Sequence, residues 1–285
     1  MTNRQPLSHV LRQFDLTAEP AALPGGTTTT FRVGDVVLKQ IQETSLENNH
    51  SAQLIQWIAD LSTRVEAAGF RLPQPVPTVD GAWITADGWT AWSFLEGRHA
   101  APADIPACIQ GILALHRALK PIPKHPLMDD NRTPWGRAHR WCWAEQPDHV
   151  QPQLRPLLDR LYALRRPIHG LEWQLMHGDL NPENILIAPG VPPAFLDFSP
   201  FWGPPEFALA IFANWIGPRR GDASVLAYFE DVPAFDQLLI RAGIRMLLVM
   251  AAIDKLEDWA TCFERRAAEM IVAYVMGIGE HANRR

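Results

Sequence analysis

The sequence predicts an α+β chain of two lobes: a small β-rich N-terminal lobe over residues 1–97 and a larger, mainly helical C-terminal lobe over residues 98–285. β-Branched runs around Gly-Asp and Asp-Gly turns crowd the first hundred residues, a Pro/Ala stretch follows, and 3,4-spaced apolar stripes then dominate to the end. No internal repeat interrupts this order, and a chain of 285 residues is long enough to bury a sizeable core in each lobe.

Along the chain, TTTTFRVGDVVLKQI (27–41) gives two strand runs around Gly34-Asp35, a hairpin signal. In SLENNHSAQLIQWIADLSTRVEAAG (45–69), Leu54, Ile58, Leu61 and Val65 recur at helical spacing and Gly69 supplies a stop. PVPTVDGAWITADGWTAWSFLEG (75–97) reads as alternating strands with Asp-Gly turns at 80–81 and 87–88. HAAPADIP (99–106) is a linker, and ACIQGILALHRAL (107–119) a helix with Ile112, Leu115 and Leu119 on one face. The proline-rich stretch 120–136 is expected to be irregular, and from about 137 the chain reads as mostly helical. Leu239, Ala242, Met246, Val249 and Ile253 form one core stripe.

The composition excludes several classes of function. Net charge is −5, and the arginine pairs 165–166, 219–220 and 265–266 are scattered, so no nucleic-acid partner is expected. Cys108, Cys142 and Cys262 lie far apart with no CxxC spacing, which argues against a disulfide framework or a thiolate zinc site and for a reducing compartment. The first residues lack a signal-peptide core, and the most apolar stretch (238–253) carries Arg241 and Arg245. A cytoplasmic protein with no membrane partner is expected.

The residues that carry chemistry lie in HGDLNPENILI (177–187) and its sequel. NILI, APGVPP and AFLDF read as a hairpin, which brings Asn184, entering one strand, beside Asp197, leaving the other. Two carboxylates and a carboxamide at one hairpin end suit a hard cation with oxygen ligands, here Mg²⁺. Phosphoryl transfer uses such a set: one Asp orients the attacking hydroxyl, while an Asn and a second Asp hold the metal that bridges nucleotide phosphates. The spacing H-x-D-x-x-x-x-N followed by D-F matches a kinase catalytic loop at His177, Asp179, Asn184, Asp197 and Phe198. His177 reads as a brace for that loop. Any one of these residues alone would read as a turn cap; five matching positions across a hairpin outweigh that.

On these residues the chain resembles the aminoglycoside phosphotransferase (APH) family of kinase-like enzymes. HGDLNPENIL looks like its catalytic loop, with Gly178 where protein kinases usually carry Arg, and FLDFS looks like its metal-binding segment. VGDVVLK, FLEGRHA, HGDL and LDFSPFW together are similar to a mainly actinobacterial subset. The resemblance implies a bilobed protein-kinase-like fold, ATP or GTP as phosphate donor with Mg²⁺, and a small-molecule hydroxyl as acceptor. It further implies that Asp179 is catalytic, that Asn184 and Asp197 bind metal, and that Lys39 contacts the nucleotide phosphates. Gly25, Gly26 and Thr27 would lie in the phosphate-covering loop, and WSFLEG (92–97), with Glu96, would be the hinge reading the nucleobase.

Two departures bear on activity. Where the family pairs its lysine with a helical Glu, the matching helix offers Gln53 and Gln56, with Glu47 at its start. Ser199 stands where a Gly is usual. A non-catalytic nucleotide-binding regulator is therefore the alternative to a small-molecule kinase. A protein kinase fits worst, because no long activation loop follows Asp197. An aminoglycoside acceptor would need acidic groups, for which Asp222, Glu230, Asp231, Asp254, Glu257 and Asp258 are candidates, although such residues usually form a solvated face.

Overall fold

A computed structural model describes residues 8–23, 29–41, 50–129, 131–253, 259 and 261–282. Strands β1 (Ala21–Ala22), β2 (Thr29–Val33), β3 (Val36–Gln40), β4 (Pro75–Val76) and β5 (Trp89–Ser93) form an antiparallel sheet in the order β1-β2-β3-β5-β4. β2 and β3 turn through Gly34 at φ +62°, the backbone that a tight hairpin requires. The pleat sends Leu38 inward, fully buried, and its neighbour Lys39 to the opposite face. Helix α1 (Ser8–Gln13) closes this small core: Val10 and Phe14 pack with Phe31, Val33, Leu38, Trp89 and Ala91.

The expected strand across 82–85 is absent. Thr78 and Thr85 each close a local turn instead: Thr78 Oγ1 accepts from Ala82 N (3.0 Å) and Thr85 Oγ1 from Trp89 N (3.0 Å). Side-chain-to-backbone bonds of this kind compete with ladder formation. The Asp-Gly turns themselves form, with Gly81 and Gly88 both at φ +79°.

Helix α2 (His50–Arg64) matches the helical spacing read at 54–65. Its Leu61, together with Phe70 and Leu72, packs into the large core of the helical part rather than into the small one. That core is built on α3 (Ile105–Leu119), α4 (Pro134–Trp143), α5 (Arg155–Leu164), α6 (Pro205–Ile216), α7 (Phe235–Ala252) and α8 (Phe263–Ala282). α7 is buried almost all round, including Arg241 and Arg245, as befits a helix at the centre of a bundle.

Among these helices run two small sheets. β7 (Gln174–His177) pairs antiparallel with β10 (Pro200–Gly203), placing Pro200 opposite His177 and Phe201 opposite Met176. β8 (Ile185–Ile187) pairs with β9 (Ala194–Phe195) as the expected hairpin and, on its other edge, with β6 (Arg98–His99). Arg71 ties the segments together. Its backbone bonds Pro193 O (2.8 Å) and Phe195 N (2.9 Å), and its guanidinium reaches Pro192 O (2.8 Å) and Glu96 O (3.4 Å). No helix of the described residues is long and apolar enough to cross a membrane.

Candidate active site

Asp179 sits where β7 ends and the chain turns toward β8. The turn is set by Asn181-Pro182: Asn181 Oδ1 accepts from Glu183 N (2.9 Å) and Asn184 N (3.1 Å), capping a 3₁₀ turn over Pro182–Asn184. That turn swings Asn184 back onto Asp179. Its Nδ2 donates to Asp179 O (2.9 Å) and Asp179 Oδ2 (3.1 Å). An amide whose nitrogen is committed in this way presents its oxygen elsewhere, and Asn184 Oδ1 accepts no hydrogen bond from the described residues.

Asp197 arrives from the other strand of the hairpin. Leu196 N donates to Asn184 O (2.8 Å), locking the two strand ends side by side, and Asp197 follows in the left-handed region at φ +51°. A non-glycine residue there costs on the order of 1 kcal/mol and recurs at functional sites. Its Oδ1 pairs with the Lys39 ammonium from β3, while Oδ2 takes no hydrogen bond from the described residues. The hairpin and the small sheet thus bring Lys39, Asp179, Asn184 and Asp197 to one place.

Behind the loop are two buried histidines. His177 Nε2–H donates to Leu196 O (3.0 Å), and its Nδ1 accepts from Asp179 N (3.2 Å) and Ser199 N (3.4 Å). His116 Nδ1–H donates to Ile112 O (2.7 Å), and its Nε2 accepts from His177 N (3.2 Å). Each ring therefore works as one donor and one acceptor, the neutral form. Burial pushes both down to about 4. His116, on α3, thus bonds its own helix through one ring nitrogen and the start of the loop through the other.

Burial raises the Asp179 carboxyl, and the charge of Arg245 on α7 is the largest effect opposing it, ahead of the Asn181 and Asn184 amides. The donor set fits a hard cation: Asn184 Oδ1 and Asp197 Oδ2 are both oxygens left free by their neighbours, and Mg²⁺ characteristically takes one or two protein oxygens, leaving its other positions to water and phosphate. Among the described residues no cluster of His, Cys, Asp and Glu offers a metal site of protein ligands alone.

On the nucleotide side, Gly25, Gly26, Thr27 and Glu47 lie outside the described residues. Glu96 is exposed on the segment after β5 and lines a cleft of about 530 Å³ with Gly97, Arg98, Ile187, Ala188 and Pro189. Of the two glutamines proposed for Lys39, Gln56 bonds Asp60 Oδ1 (3.3 Å) and Gln53 is exposed; the lysine's described partner is Asp197. Asp222 caps its own turn, accepting from Ser224 N (2.9 Å) and Ser224 Oγ (2.6 Å), and Glu230 and Asp231 are exposed. Asp254, Glu257 and Asp258 lie outside the described residues.

A loop aspartate held by an asparagine amide, with a second aspartate paired to a strand lysine, is equipment for phosphoryl transfer, in which positioning and charge neutralisation do most of the work. Comparison with known proteins identifies the class: residues 21–240 match the model of the phosphotransferase enzyme family (APH), and the chain belongs to that family. It is a phosphotransferase. Its structure is similar to the GDP complex of aminoglycoside 2'-phosphotransferase-IIIa (TM-score 0.58, 15% identity, 93% of this chain and 96% of that one). It is also similar to a thermostable mutant of aminoglycoside phosphotransferase APH(4)-Ia with AMP-PNP and hygromycin B (0.59, 16%, 93% and 97%). A third is the amicoumacin kinase hAmiN with AMP-PNP, Ca²⁺ and Ami (0.59, 14%, 94% and 92%). At these identities the likeness establishes the kinase-like fold. No curated protein sequence matches the chain significantly.

Proposed function

We propose that the protein is a small-molecule kinase that transfers the γ-phosphate of ATP or GTP to a hydroxyl of a small metabolite or aminoglycoside-like acceptor. Asp179 accepts the hydrogen bond of the acceptor hydroxyl and takes its proton as the bond to phosphorus forms. Asn184 Oδ1 and Asp197 would hold Mg²⁺, which when bound neutralises charge on the phosphates. Lys39 steadies the donor phosphates, Gly25, Gly26 and Thr27 cover them, and the segment at Glu96 receives the base.

The observation that carries this reading is the double commitment of Asn184. Its nitrogen fixes Asp179, its oxygen is left free, and its backbone carbonyl bonds Leu196 N, the residue before Asp197, so one residue would couple the acceptor side to the metal side. The test is Mg²⁺-dependent ATP and GTP consumption with aminoglycosides, amino sugars, sugars and amino alcohols, using Asp179→Asn as control. Turnover that needs an acceptor and vanishes in the variant supports the reading and names the acceptor class. Nucleotide binding with no turnover for any acceptor would favour the regulator reading, and absence of nucleotide binding would sink both.

A further inference from the structure

The HGD sequence of the catalytic loop has glycine where the kinase pattern carries arginine, yet the structure brings a different arginine up behind the loop. Arg245, on α7, is 1% exposed, and its Nε and Nη2 are buried without a hydrogen-bond partner. Among the described residues no carboxylate lies within ion-pair distance of it. Its guanidinium carbon lies over the Phe201 ring, 4.9 Å from the centroid, and 5.4 Å from the centroid of Trp135. Phe201 in turn fills the space a side chain at position 178 would need: a Cβ there would fall 2.1 Å from Phe201 Cδ2. Gly178 N donates to Ser199 O (2.8 Å), so the backbone immediately before Asp179 is held between a hydrogen bond and the ring.

We propose that Arg245 is a positioning residue: stacked on Phe201, it clamps the ring against Gly178 and so fixes the backbone from which Asp179 presents its carboxylate. The inference rests on the reading of Asp179 as the residue that orients the acceptor.

Three features favour a role over mere filling. A guanidinium stripped of water with no carboxylate partner is costly to keep in a core, where a methionine or leucine would occupy similar space without that cost. Its stabilisation comes from aromatic faces, and a cation on a ring gains most where water is excluded. Two titratable neighbours offer it no counter-charge: burial pushes the Cys142 thiol up to about 12 and His139 down to about 3, and the other charges acting on them, Arg241, Arg165 and Arg140, are cations. The positive charge is therefore uncompensated on its own side and acts toward Asp179, where it opposes the effect of burial.

A control lies one helical turn earlier. Arg241 is also buried, but it donates to Gln237 O (2.9 Å) and Arg166 O (2.8 Å) and stacks on Trp143, 5.0 Å from its centroid. Among the described residues it makes no hydrogen bond, ion pair or ring contact to the loop.

The test uses the full chain with R245M, R245K, F201L, the R245M/F201L double variant and R241M. Deuterium uptake of residues 177–184 reports the loop without requiring turnover, and kcat and KM for basal MgATP hydrolysis report its function. R245M and F201L should each raise uptake and lower kcat by tenfold or more while KM for ATP stays within about twofold. The double variant should be no worse than its poorer single, and R245K, which keeps the charge, should recover most of both losses. R241M should lower the melting temperature and leave uptake and kcat alone. Unchanged uptake in R245M, multiplicative losses in the double variant, or the same losses in R241M would overturn the proposal. Should R245M fail to fold, R245Q in wild-type and F201L backgrounds replaces it: a loss seen only when Phe201 is present supports the clamp, and no loss, or one independent of Phe201, removes it. Wild-type nucleotide binding is measured in parallel, because its failure would remove the kinase reading while the uptake result still decides the clamp.

Discussion

Lys39 and Asp197 form an ion pair that joins the third strand of the small sheet to the exit of the β8–β9 hairpin. The Asp197 side chain is 51% exposed, so the pair contributes little to stability, typically about 0–1 kcal/mol for such contacts. Its value is positional, holding the Lys39 cation on one oxygen of a carboxylate whose other oxygen is left free and would face a metal. Lys39→Met should therefore raise KM for the nucleotide about tenfold or more while shifting the melting temperature by only a few degrees. Nucleotide titration and thermal unfolding of the same variant check both halves. A large loss of stability with unchanged KM would assign Lys39 to the fold instead.

Asp179 and Asn184 should separate by what they lose. Asp179→Asn keeps the size of the side chain and removes the base, so kcat should fall about 10²–10⁴-fold with nucleotide affinity unchanged. Asn184→Ala removes both the hydrogen bonds to Asp179 and the free oxygen, so it should lower kcat and also raise the Mg²⁺ concentration for half-maximal activity. Isothermal titration of nucleotide, with kcat measured across a Mg²⁺ series, reads the difference. A normal Mg²⁺ requirement in Asn184→Ala would confine that residue to bracing Asp179.

Much of this site was legible in sequence because its chemistry is local. Asp179, Asn181-Pro182 and Asn184 lie within one turn, and the hairpin that brings Asp197 alongside is signalled by β-branched and aromatic runs around a Pro/Gly loop. The β2–β3 hairpin and the 54–65 helix were legible for the same reason: period and turn chemistry act over a few residues. Two kinds of feature were not. The strand expected at 82–85 failed because Thr78 and Thr85 bond the backbone locally, a choice that alternation alone does not reveal. Arg245 and His116 look in sequence like ordinary residues of apolar helices. Only the packing of α7 and α3 behind β7 and β10 makes them neighbours of the loop.

The buried histidines make stability depend on pH in a defined direction. His116 and His177 are pushed down to about 4 and His139 to about 3, each chiefly by burial. In the unfolded chain the same groups take up protons below about 6.5. Between those values the unfolded state binds more protons, so stability must fall as pH drops from about 6.5 toward 4, by up to about 1.4 kcal/mol per pH unit for each histidine. Urea denaturation from pH 8 to 4.5 measures the slope. His139→Gln, which retains a donor for Trp202 O, should reduce that slope by roughly one proton. An unchanged slope would mean that His139 does not titrate with unfolding.

Gly178 offers the sharpest steric test. A methyl group at this position would lie 2.1 Å from Phe201 Cδ2 and 2.8 Å from Cε2 and Cγ, well inside contact distance. The ring has little room to retreat: Arg245 covers it at 4.9 Å, the His139 ring packs against it tilted at 41° with centroids 4.7 Å apart, and the β7–β10 pairing holds its backbone opposite Met176. Overpacking of a rigid site typically costs about 1–3 kcal/mol, and here the displaced backbone is that of Asp179's own neighbour. Gly178→Ala should therefore lower stability by an amount in that range and reduce kcat more than KM. Gly178→Arg, which restores the kinase pattern in sequence, should be worse than alanine, because the volume it needs is already filled. Adding Phe201→Ala to Gly178→Ala should remove the clash, so the double variant should be more stable than the two single losses added together. Strict additivity in denaturant melts would show that the ring and the glycine are not in contact.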